Sequence, residues 1–414
     1  MDYCLAIDVG KGRSCYGLMK NVDVTLGIRD GMETVIRPKF FRHTAEDLDA
    51  ILKAVAKYPK EEVAVVMEST GIYHLPLARS FRARGFTVIV VNPLITGRDQ
   101  PTLRKTKYDE GDVAKIANSY FKGNCNIQYI RTKEEEDAAE LSREIEHSKG
   151  VLAAYKNELR QLLYKTAPAY EIVYGKSSLF EEATLALIRK CPHADRIASV
   201  SEEEEALDAM CGAGLPRYRE SYREGFRRLR KENVSRLFSL DSDSPAVEGI
   251  EHLIDSILAL KAEIRKREED LVNREKDRNE FRALESFRGI GGVLAAHISA
   301  EAGDLSRFSK PQKLISYAGL DPSKEQSGTS LDTNGAVTKR GNRHLRKWLY
   351  VAVMSILMHP KADDLEFTDY YQMKRGDKRK GGQSHHHFYA MTACCNKLIR
   401  KFYFRYLDLA KEKR

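Results

Sequence analysis

The chain has 414 residues, more than one hydrophobic core usually holds, so two or more domains are expected. Lys and Arg total 69 against 60 Asp and Glu, and the net charge of +9 favours a polyanionic partner without separating DNA, RNA and an anionic membrane. The longest late apolar run, residues 349–358, is too short to span a bilayer, and no signal peptide precedes the first predicted strand, so we expect a cytoplasmic protein.

The first 130 residues alternate short apolar runs with amphipathic segments, a pattern typical of an α/β domain. A tight turn at Gly10–Gly12 separates the first two runs, which predicts a strand, a turn and a returning strand. The predicted strands are 3–8, 15–19, 63–68 and 86–91, and the predicted helices are 45–58 and 75–84.

Four acids in this region are spaced so that they can converge. Asp8 and Glu68 each close an apolar strand, and Asp109 and Asp112 are three residues apart, on one face of a predicted helix. Carboxylates crowded at the end of a sheet repel one another unless a cation is present, and hard divalent cations prefer carboxylate oxygens. The four acids therefore predict a magnesium site of the kind that cuts phosphodiesters, although each acid alone has an ordinary alternative as a solvated strand end or a first-turn helix acid.

Two heptad patterns follow, and they predict coiled-coil helices over 131–168 and 246–282. Both are short, so the two helices either pair with each other as an antiparallel hairpin or pack between subunits. The patterned residues are Leu141, Ile145, Ser148, Leu152, Tyr155, Leu159 and Leu162 in the first, and Ile250, Leu253, Ile257, Leu260, Ile264 and Leu271 in the second.

Residues 169–245, between the two patterns, are predicted to form a compact helical insert. Its stretch 217–236 has eight basic residues against three acids, interleaved with Tyr218, Tyr222 and Phe226. Bases of a single strand can stack on such aromatic rings while phosphates meet the arginines. The alternative is a solvated helix whose aromatic residues face its own core.

Residues 283–414 contain two features suited to phosphate binding. The glycine-rich turn 287–292 has the form of a helix-hairpin-helix motif, although a helix end followed by a new helix would have the same pattern. Residues 338–347 contain five Lys or Arg and one His, which predicts a phosphate-contact segment. The run His385–His387 lacks nearby ligands at a metal-binding spacing, and the seven dispersed cysteines contain no CxxC pair, so structural zinc and a disulfide framework are not expected.

At these motifs the chain resembles the insertion-sequence transposases with a DEDD RuvC-like domain, relatives of the Piv-type DNA invertases, whose characterised members use a bridge RNA. The residues that carry the resemblance are IDVG at 7–10, Glu68, KYDEGDVAKIA at 107–117, RGIG at 288–291, YAGLDP at 317–322, QSG at 326–328 and KRGNRHLR at 339–346.

The resemblance implies a fold class of α/β plus α. An RNase H-like (RuvC-like) domain occupies 1–130, the coiled-coil helices and insert occupy 131–282, and a mostly helical transposase domain occupies 283–414. It implies that Asp8, Glu68, Asp109 and Asp112 bind Mg²⁺, for which Mn²⁺ can substitute, and that Ser327 is the nucleophile of a phosphoserine intermediate.

The implied partners are DNA, as element ends and target, a noncoding guide RNA, and further copies of the chain in a dimer or tetramer. The implied location is the cytoplasm of a bacterial or archaeal cell, on the nucleoid when DNA is bound. The predicted nucleic-acid-binding residues are Arg288, Gly289, Gly291, Lys339, Arg340, Asn342, Arg343, Arg346 and Lys347.

Three other functions remain open at this point. A RuvC-like junction resolvase would use the same acids with metal-activated water and would not need Ser327. A nucleic-acid scaffold with coiled coils would need no catalysis. An actin-like ATPase shares the opening strand and turn around Asp8, but it has no use for Asp109 with Asp112.

Overall fold

The computed structural model describes residues 1–22, 31–69, 71–91, 109–123, 131–198, 203–233, 239–324, 334–359, 365–376 and 387–412. The chain divides into two compact units, 1–130 and 131–414. None of the described helices is long and apolar enough to cross a membrane.

The first unit is a mixed α/β domain with one five-stranded sheet. Its strands are β1 (Tyr3–Asp8), β2 (Arg13–Asn21), β3 (Met32–Arg42), β4 (Val63–Glu68) and β5 (Thr87–Val91), and its helices are α1 (Ala45–Val55), α2 (His74–Ala83) and α3 (Asp109–Phe121). The strand order is β3-β2-β1-β4-β5. The first three strands pair antiparallel, whereas β4 and β5 run parallel to β1.

The central strands are buried on both faces, which explains their continuous apolar runs. Alternate residues point to opposite faces of a sheet, and two separate cores result. Leu5, Ile7, Val65 and Met67 pack with residues of α1 and α2. The intervening residues of β1 and β4, among them Ala6 and Val66, pack with Val113, Ile116 and Ala117 of α3.

The second unit is mostly helical. It contains α4 (Lys133–Thr166), α5 (Ala169–Ser178), α6 (Glu182–Lys190), α7 (Ala194–Ala198), α8 (Glu203–Ala213), α9 (Arg219–Glu232), α10 (Pro245–Glu275), α11 (Asn279–Glu285), α12 (Gly292–Ala302), α13 (Pro311–Tyr317), α14 (Arg343–Met358), α15 (Glu366–Arg375) and α16 (His387–Glu412). Two short strands, β6 (Pro322–Lys324) and β7 (Asn334–Val337), pair antiparallel before α14.

The long helices α4 and α10 lie antiparallel along each other within one chain. Arg267 Nη1 is 3.1 Å from Glu144 Oε2, while a Cβ on Gly249 would lie 3.2 Å from Leu162 Cδ1, near the other ends of the helices. The heptad positions Ile145, Leu159 and Ile257 are fully buried. Of the two arrangements that the heptad patterns allow, the structure therefore has the antiparallel pairing of the two helices.

The aromatic residues of α9 do not share one environment. Phe226 is fully buried in the core of the insert, and the Tyr222 hydroxyl accepts a hydrogen bond from the Leu215 backbone N–H at 3.3 Å. Arg219 and Arg223 form ion pairs with Glu204 of α8. Phe226 thus agrees with the second interpretation of this stretch, a helix whose aromatic residues face its own core. A fully buried ring has no surface on which a base can stack.

The only tryptophan of the sequence, Trp348, lies in the core that the C-terminal helices form with α4 and α10. The His297 ring stacks on it with a centroid distance of 3.9 Å and an interplanar angle of 10°. His297 is fully buried, and its Nδ1 is 2.8 Å from Ser142 Oγ. Burial lowers the pKa of His297 to about 3, and the charge of Lys149 adds to this effect.

We expect the buried His297 to make the protein less stable as the pH falls. In the unfolded chain a histidine takes up a proton below about pH 6.5, whereas folded His297 stays neutral down to about pH 3. The free energy of unfolding should therefore fall by about 2 kcal/mol between pH 7 and pH 5 through this residue alone. Urea unfolding followed by Trp348 fluorescence measures it, and His297→Gln should remove that part of the pH dependence.

The exposed His252 on α10 provides the matched control. His252→Gln should keep the wild-type difference between pH 7 and pH 5. If His297→Gln also keeps it, burial of His297 is not a source of acid sensitivity.

Candidate functional sites

Two of the four predicted acids close neighbouring strands. β1 and β4 run parallel with Ile7 opposite Met67, so the register continues to Asp8 opposite Glu68. Paired residues on parallel strands point to the same face and lie about 4.8 Å apart along the hydrogen-bonding direction. Both residues are half-buried. Their carboxylates thus extend from one edge of the sheet, on the face that α3 covers.

Helix α3 contains the other two acids, each one turn before a residue that packs on the sheet. Val113 Cγ1 would lie 3.1 Å from a Cβ on Gly17, which pairs with Ala6 of β1. Asp109 precedes Val113 by one helical turn, and Asp112 precedes the buried Ile116 by one turn. Only the backbone of Asp109 is described, so the position of its carboxylate lies outside the described structure.

Asp112 forms an ion pair in the structure, since Lys115 Nζ is 2.6 Å from Asp112 Oδ1. Among the described side chains, no three His, Cys, Asp or Glu residues lie close enough together to hold one metal ion. The donor chemistry nevertheless fits a hard cation, because Asp8, Glu68 and Asp112 offer oxygen ligands only and a positive charge already lies against one of them. Sequence reasoning missed Lys115, although its i,i+3 spacing from Asp112 was a signal for this pair.

Ser327 lies in 325–333, outside the described residues, so its role as the nucleophile stays a prediction. The two strands that flank this segment are described. Pro322 pairs with Val337, and Lys324 pairs with Asn334. Thr338 donates its backbone N–H to Asp321 O at 3.0 Å and its hydroxyl to Asp321 Oδ1 at 2.9 Å. The strands before and after residues 325–333 therefore pair with each other, and Thr338 is hydrogen-bonded to Asp321 next to this pairing.

Three residues of the predicted phosphate-contact segment have partners inside the protein. Asn342 is the N-cap of α14, and its Oδ1 accepts hydrogen bonds from the backbone N–H groups of His344 and Leu345. Arg346 donates to Ala318 O at 2.8 Å. Lys347 lies 2.9 Å from Glu146, which also binds His344. These contacts give Asn342, Arg346 and Lys347 structural roles.

Three other cations of the segment point to solvent. Lys339, Arg340 and Arg343 are exposed, and none of them has an acidic partner among the described residues. They lie in the turn before α14 and in its first turn, where backbone N–H groups also add positive potential. Among the described residues of this segment, they are the cations best placed to meet a phosphate.

The glycine-rich turn joins α11 to α12. Gly289 has φ +86°, and a Cβ there would lie 2.9 Å from Ile356 Cα, so the turn packs directly on the backbone of α14. Gly291 is the N-cap of α12 with φ −83° and has open space around it. Arg288, directly before Gly289, is exposed. The turn thus presents a cation and a helix start to solvent.

His387 is the described member of the histidine run 385–387, and its two ring nitrogens contact tyrosine hydroxyls. His385 and His386 lie outside the described residues. His387 begins α16, where its Nδ1 is 2.7 Å from the Tyr371 hydroxyl and its Nε2 is 3.1 Å from the Tyr350 hydroxyl.

Comparison with known proteins identifies the family. A model described as the transposase IS116/IS110/IS902 family matches residues 281–372, and a transposase model for the DEDD domain of IS110 matches residues 20–168. The chain belongs to this insertion-sequence transposase family. The two matches include Glu68, Asp109 and Asp112 in the first unit and the segment from the glycine-rich turn through α14 in the second.

Individual relatives agree with the family. The chain is 28% identical to an uncharacterized 44.8 kDa protein of insertion element IS116 from Streptomyces clavuligerus, over 53% of this chain and 52% of that protein. The chain therefore spans about half the length of that relative. It is 24% identical to a putative transposase from Sinorhizobium fredii, over 79% of this chain and 74% of the relative.

A third relative carries a more specific name. The chain is 32% identical to a pilin gene-inverting protein from Moraxella lacunata, over 26% of this chain and 33% of that protein.

The mixed α/β architecture of the first unit fits the RNase H-like fold expected of a DEDD transposase domain.

Proposed function

We propose that the protein is a transposase that cuts and rejoins DNA at the ends of an insertion sequence, using Asp8, Glu68, Asp109 and Asp112 with Mg²⁺ and Ser327 as nucleophile. The observation that carries the proposal is the parallel pairing of β1 with β4, which brings Asp8 and Glu68 to the same edge of the sheet, on the face covered by the helix of Asp109 and Asp112. The family match supports the class of reaction. The gene-inverting name of the Moraxella relative supports recombination as its outcome.

The proposed chemistry consists of two transesterifications. The Ser327 oxygen bonds to phosphorus, the bond to the leaving sugar oxygen breaks, and the serine proton passes to that leaving oxygen. A hydroxyl of a second strand then displaces serine in the reverse sense. One phosphoester replaces another at each step, so no ATP is required. Because a serine hydroxyl is a weak nucleophile, it needs activation.

The four acids would hold Mg²⁺, which when bound polarises a phosphoryl oxygen and neutralises charge. Lys115 contacts Oδ1 of Asp112, so Oδ2 is the oxygen that Asp112 would offer to the ion while this contact lasts. The exposed Lys339, Arg340 and Arg343 are suited to binding the DNA phosphates and to stabilising the charge that develops on the attacked phosphate.

A guide RNA is part of the proposal because characterised members of the family that the chain resembles use one. Exposed arginines on α9 and α14 suit RNA and DNA phosphates equally. Sequencing the nucleic acid that copurifies with the protein tests this part. A discrete noncoding RNA from the DNA flanking the gene supports it, and recovery of random fragments counts against it.

The serine chemistry is tested by trapping the protein on DNA that carries the element ends. We expect a covalent adduct that survives denaturation, requires Mg²⁺ and disappears in Ser327→Ala. Ser330→Ala, three residues away in the same segment, is the matched control and should still form the adduct. Mg²⁺-dependent nicks with free ends, undiminished in Ser327→Ala, would instead indicate hydrolysis by water, as in a junction resolvase.

A further inference from the structure

An exposed aromatic ring lies on the sheet face that holds the proposed metal site. Phe40 of the edge strand β3 is 46% exposed, whereas its neighbour Phe41 is buried in the core beside α1. Alternate residues of a strand point to opposite faces of the sheet, so Phe40 points to the face on which α3 packs. The Phe40 ring is therefore in contact with solvent on the same side of the sheet as Asp8 and Glu68.

The strand register connects Phe40 to these acids. Asp8 of β1 pairs with Cys15 of β2, and Cys15 pairs with Phe40 of β3. Paired residues point to the same face, so these three side chains form one row across the sheet, and Glu68 of β4 extends the row on the other side of Asp8. Neighbouring strands lie about 4.8 Å apart, so Phe40 is about 10 Å from Asp8. A dinucleotide can span that distance.

A cation accompanies the ring. Arg13 lies on β2 two residues before Cys15, and its guanidinium carbon is 4.2 Å from the centroid of the Phe40 ring. Arg13 is exposed, and it has no acidic partner among the described residues. Proteins that bind single-stranded nucleic acid combine such groups, because a base stacks on the aromatic ring while a cation binds the backbone phosphate.

We propose that Phe40 and Arg13 form a base-stacking subsite of the DNA cleavage site, in which an unpaired base beside the cut phosphate stacks on Phe40 and Arg13 binds the adjoining phosphate. This rests on the proposed function. Exchange of strands requires base pairs at the cut to open, and an opened base loses its stacking neighbours in the duplex. The Phe40 ring would replace that stacking for any base, since every base has a π-face.

The alternative is a surface pair without a ligand. Charged side chains commonly protect the edge strand of a sheet, and Arg13 would then only cover the exposed ring of β3. The two interpretations differ in whether a base of bound DNA touches Phe40.

The test uses the full-length protein and DNA with the element ends, in which 5-iodouracil replaces one base at a time around the cut. Irradiation cross-links this base to an aromatic ring on which it stacks. We expect a cross-link to Phe40, identified by mass spectrometry, from a base within about two nucleotides of the cut. Phe40→Leu keeps an apolar side chain but has no π-face, so it should abolish the cross-link and weaken DNA binding by about 10-fold.

Three further variants make the result specific. Phe40→Trp restores a π-face and should retain the cross-link and the affinity. Arg13→Gln should lower the slope of log affinity against log salt concentration by about 1, as expected for the loss of one phosphate contact. Thr34→Ala, at an exposed position near the other end of β3, should change neither the cross-link nor the affinity.

The outcomes separate this proposal from the proposed function. Absence of a Phe40 cross-link from every position, or equal affinity of the wild-type protein and Phe40→Leu, would overturn the subsite and leave a surface pair. A cross-link only from bases far from the cut would overturn its place beside the acids. If the wild-type protein binds this DNA without cutting it, the proposed function fails, while the cross-link still decides whether a base stacks on Phe40.

Discussion

Asp8→Asn or Glu68→Gln should reduce Mg²⁺-dependent DNA strand cleavage by about 10³-fold, equivalent to ~4 kcal/mol of lost transition-state stabilisation. Each amide keeps the size of the side chain but removes a negative charge from the edge where β1 and β4 end. The rate of cleavage at saturating DNA, measured over a range of Mg²⁺ concentrations, checks the expectation.

An acid on the other side of the same sheet supplies the control. Asp49 is exposed on α1, whose core residues pack on the face opposite α3. Asp49→Asn changes the net charge by the same amount and should cleave at the wild-type rate. Full activity of Asp8→Asn would remove the metal site from the proposed mechanism.

Gly289→Ala should lower the free energy of unfolding by about 3 kcal/mol. Two costs add at this position. An alanine at φ +86° is strained by about 1 kcal/mol or more, and its Cβ would lie 2.9 Å from Ile356 Cα, in backbone that cannot move aside cheaply. Denaturant unfolding followed by Trp348 fluorescence is a suitable measurement, because Trp348 belongs to the same core as Ile290 of the turn.

Gly291→Ala is the matched comparison, two residues away in the same turn. Its φ is −83° and no atom lies within 4 Å of the added methyl group. We expect a change below about 1 kcal/mol, which is the usual cost of a poorer helix cap. Equal losses in the two variants would show that the close packing of Gly289 against α14 does not limit stability.

The strands and helices with a strong pattern were predictable from sequence. The run Val63–Glu68 is buried on both faces, and that burial produces the continuous apolar stretch that predicts it. The edge strand Met32–Arg42 was missed because most of it is exposed or half-buried and it contains Pro38, so it has no apolar run. The heptads predicted both long helices, but only three-dimensional contacts distinguish pairing within a chain from pairing between chains.

The candidate sites show a different limit. The place of Asp8 and Glu68 at the ends of their strands was predictable, because each residue closes an apolar run. Asn342 was predicted as a nucleic-acid contact, and no local pattern reveals that its amide faces Glu301. The partner of that carboxylate, Arg143, is 158 residues away in sequence. A long-range network of this kind is fixed by packing, so a single sequence contains no spacing from which to infer it.

The antiparallel pair α4 and α10 contributes to two hydrophobic cores. Ile145 and Leu271 belong to the core of the C-terminal helices, whereas Leu159 and Ile250 belong to the core of the insert. The length of these two helices therefore sets the distance between the two cores. Lengthening both helices by seven residues would move the insert outward by about 10 Å and keep its facing nearly unchanged, while adding two or five would turn it about the axis by about 140° or more. A heptad insertion in both helices would thus change the reach of the insert without repacking either core.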